Sequence, residues 1–306
     1  MEHAIAALSG TARAAPRVWV DIGTSFKTLA KWDVLHNDSL IVVGIDPLKA
    51  NIQHPWQPET PRFVRVHGAC AEGPPGETTL YVHRSPTCGS LLPTRTNGPK
   101  LGVGRDACTG DEPTPTRVPS FPLHQLLRRV RSPTRRIELL KIDVQGSELS
   151  CLRSAGAELR RVDNVLLEVQ DAEEASGLLT YESSPSLTQL DELLASHHLR
   201  RQYCEWNAWA KNVREINCLY SSSHAAATRL WATGNFQHSG SMVSYDELPT
   251  SFVRPPQYLT QLKTSSFAGE RVDHRRGAGV RPLHQAAEEH GERESSPRRR
   301  TRSRRR

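Results

Sequence analysis

Five short runs constrain this chain more than any other feature of it. They are VWVDIG (18–23), LIVVGID (40–46), RFVRVHGA (62–69), IELLKID (137–143) and NVLLEVQ (164–170). Each is rich in Val, Ile or Leu, and most are apolar almost without interruption. A strand with one face in water alternates apolar and polar residues. A strand of a parallel sheet, covered on both faces, does not need to. Between the runs lie stretches with helical spacing. Thr24 and Ser25 are suited to cap a helix reaching about Trp32. GSELSCLRSAG (146–156) carries Leu149, Leu152 and Ala155 at helical intervals, and SLTQLDELLASHH (186–198) aligns Leu187, Leu190, Leu193 and Leu194 behind Ser186. Two further runs, RRQYCEW and INCLYSS, close the pattern as an antiparallel pair. The expectation is an α/β three-layer sandwich, with a mostly parallel seven-stranded sheet and an antiparallel edge pair.

Composition divides the chain. Residues 1–15 form a loose lead-in, and 16–222 carry the periodic runs. Residues 72–120 hold many of the prolines and glycines and read as an insertion, with TTLYVH as one strand. Residues 223–264 show no assignable pattern. Residues 265–306 are an Arg-rich tail with too few apolar side chains to offset the entropy of ordering. The net charge is +7, but the last nine residues alone hold seven arginines, so the remainder is formally neutral. The basic balance says nothing about the folded surface, and its excess lies in the tail. The tail suits nucleic acid, an acidic protein or an import receptor, and Ser296 and Ser303 lie in it as modification sites. No apolar run reaches the length of a membrane span, and the start lacks the pattern of a secretory signal. Six cysteines without a C-x-x-C pair predict no zinc knuckle and no metal. They are read as free thiols in a reducing compartment, which places the chain in the cytoplasm or, through its tail, the nucleus.

Two strand ends carry acids suited to a nucleoside ligand. The first run ends in Asp21-Ile22-Gly23-Thr24-Ser25, where a glycine admits a ligand to the backbone and a helix start offers N–H groups to an anion. The second ends in Asp46, 25 residues after Asp21, placed to accept the hydroxyls of a ribose. The fourth run leads into LLKIDVQGSELSCLRSAG (139–156), with Asp143 at the strand tip and Gly146 and Glu148 at the turn into the next helix.

Lys141, Ile142, Asp143, Gly146, Glu148 and Leu149, with DIGT, GIDP and NVLLEVQ in order, resemble the FkbM family of S-adenosylmethionine-dependent methyltransferases. The resemblance spans about residues 17–222. It implies a class I, Rossmann-like methyltransferase using S-adenosyl-L-methionine. Asp21, Gly23, Thr24, Lys27, Asp46, Ala69, Cys70 and Asp143 would contact the cofactor, with Asp46 on the ribose and Ala69 and Cys70 near the adenine. Asp143, Glu168 and Glu148 would serve catalysis on a small-molecule, sugar or lipid acceptor, through O-methylation of a hydroxyl or carboxyl. The family's first loop has a second glycine where this chain has Lys27. That lysine either pairs with the cofactor carboxylate or fills its space, and the second case would leave a catalytically degenerate binding protein. A dinucleotide oxidoreductase is disfavoured because G-x-G-x-x-G is absent. His67, His197, His198, Trp206 and Trp209 are read as structural.

Overall fold

The computed structural model describes residues 17–26, 28, 30, 35, 40–55, 60–95, 112–130, 134–170, 181–206 and 215–232. The tail and Lys27, Trp209 and Cys108 lie outside them.

The five apolar runs are strands. β1 (Arg17–Ile22), β2 (Leu40–Asp46) and β3 (Phe63–His67) pair in parallel, as do β7 (Leu139–Ile142) with β1 and with β8 (Asn164–Gln170). β9 (Arg200–Trp206) and β10 (Glu215–Ser221) complete a seven-stranded sheet of order β3-β2-β1-β7-β8-β10-β9. β10 is antiparallel to both its neighbours. The fold is thus the α/β class I, Rossmann-like architecture expected.

Successive side chains on a strand face opposite ways, and both faces are covered. A short helix, α1 (Lys49–Ile52), follows β2; Val18, Val20 and Ile22 point into the larger core, with the apolar sides of α2 (Leu123–Arg129), α3 (Glu148–Ala155) and α4 (Leu187–Ser196). Trp19 points into a second core with Leu40, Val42, Phe63 and Leu139. Ser186 caps α4 through a reciprocal pair with Gln189, as its position predicts. The second core also takes Ala227 and Leu230 of α5 (His224–Ala232), so the folded unit runs past residue 222. Two boundaries in the sequence reading need correction. The helix expected from Thr24 does not begin there: Thr24–Phe26 form a turn, with Ser25 at φ 50°. The third run splits at Gly68, leaving β3 in the large sheet and sending β4 (Ala69–Cys70) into a small one. That small sheet, of order β4-β6-β5, is the core of the insertion, with β5 (Gly76–Val82) antiparallel to β6 (Thr114–Phe121).

The cysteines also depart from expectation. Cys70 is bonded to Cys151 and Cys204 to Cys218, and Cys88 is disulfide-bonded as well, so no described cysteine is a free thiol. Cys204 and Cys218 are direct partners across β9 and β10. Cys70 and Cys151 lie 81 residues apart, on β4 and α3, with Cα atoms at 5.3 Å. Among the described residues no helix is long and apolar enough to cross a membrane, and no group of three His, Cys, Asp or Glu is set to hold a metal.

Candidate functional site

The carboxyl ends of β1, β2, β7 and β8 bring Asp21, Asp46, Lys141, Asp143 and Glu168 to one edge of the sheet. Open parallel sheets take ligands at this edge, where the strand order turns. Here β1 stands between β2 and β7, with chain connections leaving in opposite directions.

The β2 end is closed. Asp46 is buried, and its Oδ1 accepts from Leu48 N at 2.9 Å and Asn51 Nδ2 at 3.0 Å, while Oδ2 accepts from Ser25 N at 3.0 Å. Burial pushes its pKa up, against the pull of those donors and of Lys141. A carboxylate has about four lone-pair positions, so three are already taken. The two-hydroxyl ribose grip expected from sequence would need one of these bonds to yield. Asn51 Oδ1 and Thr24 Oγ1 are buried beside this carboxylate without a hydrogen-bond partner among the described residues. The N–H groups expected to greet an anion are also engaged: Gly23 N and Thr24 N both donate to Ile45 O. Gly23 itself has φ 77°, and a Cβ there would lie 1.9 Å from Asp143 O. What the structure demands of this glycine is contact between the β1 and β7 ends.

The β7 end is built around a cation. Lys141 Nζ donates to Gly23 O at 2.9 Å and Asp143 Oδ2 at 3.1 Å, and stands 3.5 Å from Asp21 Oδ1. Burial alone would lower its pKa, but Asp143, Asp21 and Glu168 more than reverse that, so the ammonium stays charged. Asp21, fully enclosed, takes Thr28 Oγ1 at 2.8 Å on its other oxygen. It therefore organises the loop from inside. Asp143 is 22% exposed and Glu168 is half-buried, which leaves both within reach of a ligand. Gln145, not singled out from sequence, links them: its Nε2 donates to Asp143 Oδ1 at 2.9 Å and Glu168 Oε1 at 3.4 Å.

Glu148 does not line an acceptor pocket. It is 1% exposed, and its Oε1 accepts from Gly146 N at 3.0 Å and Val144 N at 3.2 Å. It holds the turn that places Asp143. Burial raises its pKa to about 7, against the backbone donors that favour the anion. Ala69 and Cys70 follow the third strand as expected, but the Cys70 sulfur is bonded to α3. His67 Nε2 meets Pro47 O at 2.9 Å, a structural contact. His197 ends α4 as its C-cap.

The sequence matches the family described as Methyltransferase FkbM domain over residues 18–203, and the chain belongs to that family. It is a methyltransferase domain, and its cofactor is S-adenosylmethionine. No curated protein matches. Several solved structures are similar to it at low identity. A TehB-like methyltransferase from Corynebacterium glutamicum is 9% identical, with a TM-score of 0.33, covering 72% of this chain and 86% of that one. A Burkholderia thailandensis 1,6-didemethyltoxoflavin-N1-methyltransferase with bound S-adenosylhomocysteine is 12% identical, at 0.31, covering 72% and 76%. LepI in complex with S-adenosylmethionine is 13% identical, at 0.31, covering 70% of this chain and 44% of that one. The residues present suit the cofactor. Asp21, Asp143 and Glu168 outnumber Lys141, so the edge is net negative, and the ligand's sulfonium and ammonium are positive.

Proposed function

We propose that this chain methylates an oxygen of a small molecule, sugar or lipid, either a hydroxyl or a carboxyl. The observation that carries the reading is the pair Asp143 and Glu168. They are carboxylates at the carboxyl ends of adjacent strands, bridged by one amide and partly exposed beside a fixed ammonium. Asp46, with Ser25 and Asn51 around it, would hold the ribose side, and Asp143 the methionine end. S-adenosylmethionine supplies an electrophilic methyl when bound. The protein's work is to align the acceptor oxygen behind that methyl and to exclude water, since proximity and orientation supply most of the rate in such a transfer. Glu168 or Asp143 would take the hydroxyl proton late in transfer. A neutral hydroxyl acceptor suits this edge better than a carboxylate one, which the acids would repel.

Calorimetry of the full chain against S-adenosylmethionine, S-adenosylhomocysteine and NAD tests the foundation. Binding of the first two and not the third is expected. Failure of all three would favour the degenerate binding protein, and binding of NAD alone would overturn the reading. Incubation with labelled S-adenosylmethionine and a panel of hydroxylated and carboxylated acceptors then assigns the oxygen.

A further inference from the structure

We propose that Gln145 is a positioning residue for methyl transfer, and that the insertion sets it. Its amide fixes the direction and separation of Asp143 and Glu168. Residues 88–94 in turn fix the amide, through Tyr181. The inference rests on the methyltransferase reading above.

Gln145 has φ 56°, a conformation uncommon for a residue with a side chain, at the turn from β7 to α3. Strain of this kind persists only where the surroundings impose it. Here they do. Its backbone carbonyl accepts from Ser90 Oγ at 2.7 Å, and its side-chain Oε1 accepts from Tyr181 OH at 2.9 Å. Tyr181, 1% exposed, also reaches Cys88 O at 3.1 Å, and it pairs with Thr94 in an isolated bridge. The next residue seals the contact: a Cβ on Gly146 would lie 2.9 Å from Ser184 Oγ and 3.3 Å from Leu92 Cδ1.

These contacts decide which way the amide points. With Oε1 on the tyrosine hydroxyl, both N–H bonds face the two carboxylates. The reversed amide would set its oxygen against the two carboxylates, each of which can only accept, and would leave the hydroxyl proton to Cys88 O alone. Asp143 is then held from both sides, by Lys141 on Oδ2 and Gln145 on Oδ1. Glu168 is drawn toward it across a gap that two like charges would otherwise widen. The insertion thus reaches the reacting centre through Ser90, Tyr181 and Gln145.

The test compares two ligands that share every contact except one. Sinefungin carries an amine where the transferred methyl sits, and S-adenosylhomocysteine carries nothing there. The ratio of their affinities, measured by calorimetry on the full chain, reports the aim of the two carboxylates. Tyr181→Phe removes the hydroxyl that orients the amide. Gln145→Asn keeps a residue tolerant of the turn's φ but is too short to bridge. In both, the preference for sinefungin should fall about fivefold or more, with S-adenosylhomocysteine affinity within about twofold of wild type. An unchanged ratio in both variants overturns the inference. So does a parallel loss of both affinities, which marks a merely structural role. If the wild-type chain binds neither ligand, the methyltransferase reading falls and takes this inference with it.

Discussion

The two ends of the site use their carboxylates differently. At the β2 end, Asp46 is buried and accepts from three donors, two of them backbone N–H groups. At the β7 and β8 ends, Asp143 and Glu168 are half-open, and their described partners are side chains. A carboxylate saturated by backbone shapes a loop. One held by side chains at the rim can shift with them when something arrives from outside. The protein has spent its burial on the half that grips and left exposure to the half that reacts. Lys141 joins the halves, since it touches the β1 loop through Gly23 and Asp21 and the β7 end through Asp143.

Removing that joint should have the largest effect. Lys141→Met leaves Asp21 and Asp143 facing each other without a counter-charge, and should cost about 3–5 kcal/mol of stability. Urea unfolding would show it, and a loss under 1 kcal/mol would mean the halves are held independently. Next comes the closed end. Asp46→Ala strands Ser25 N, Leu48 N and Asn51 Nδ2, so it should cost about 3 kcal/mol as well as weakening cofactor binding at least tenfold. Calorimetry well below the melting temperature separates the two losses. Unchanged affinity there would remove Asp46 from the cofactor site.

A third change concerns pH. Glu148 has its folded pKa raised to about 7 from 4.5. Between those values the folded state holds the proton that the unfolded state has lost. Stability from this group is therefore full below pH 4.5 and declines as pH rises toward 7. Glu148→Gln keeps an acceptor for the two backbone donors and has no charge to bury. Melting scans from pH 4.5 to 8 should show the decline reduced in the variant, which should be at least as stable as wild type near pH 8. A steeper decline would show that the anion stabilises the turn. The smallest effect is expected from the tail: deleting residues 265–306 should leave melting and cofactor affinity nearly unchanged while reducing retention on heparin. A large drop in melting temperature would mean the tail packs on the fold.

Much of the scaffold was legible because buried parallel strands need apolar side chains on both faces, and Val18–Ile22 or Leu40–Asp46 could hardly be anything else. Legibility failed where tertiary contacts overrode local pattern. Ser25 and Thr24 look like helix caps, yet Asp46 takes the Ser25 N–H and Ile45 O takes that of Thr24, and a turn results. β6 was hidden by Pro115 and Pro119, which weaken any strand signal, although β5 pairs along its whole length. Cys70 and Cys151 gave no sign at a separation of 81, whereas Cys204 and Cys218 could have been found: they lie in two runs already read as an antiparallel pair. Of the site, the acids at strand tips were visible as residue types at expected places. Gln145 was not, since its importance lies in what stands on either side of it in space.

The bond between Cys70 and Cys151 has a consequence for anyone who handles the protein. It ties the chain into a covalent ring that contains β5, β6, α2 and β7. A protease cut anywhere between residues 71 and 150 opens the ring without releasing a fragment. The nicked molecule would still travel as one piece on a denaturing gel. Only a thiol reagent would separate it, leaving Asp21 and Asp46 on one fragment and Glu168 on the other.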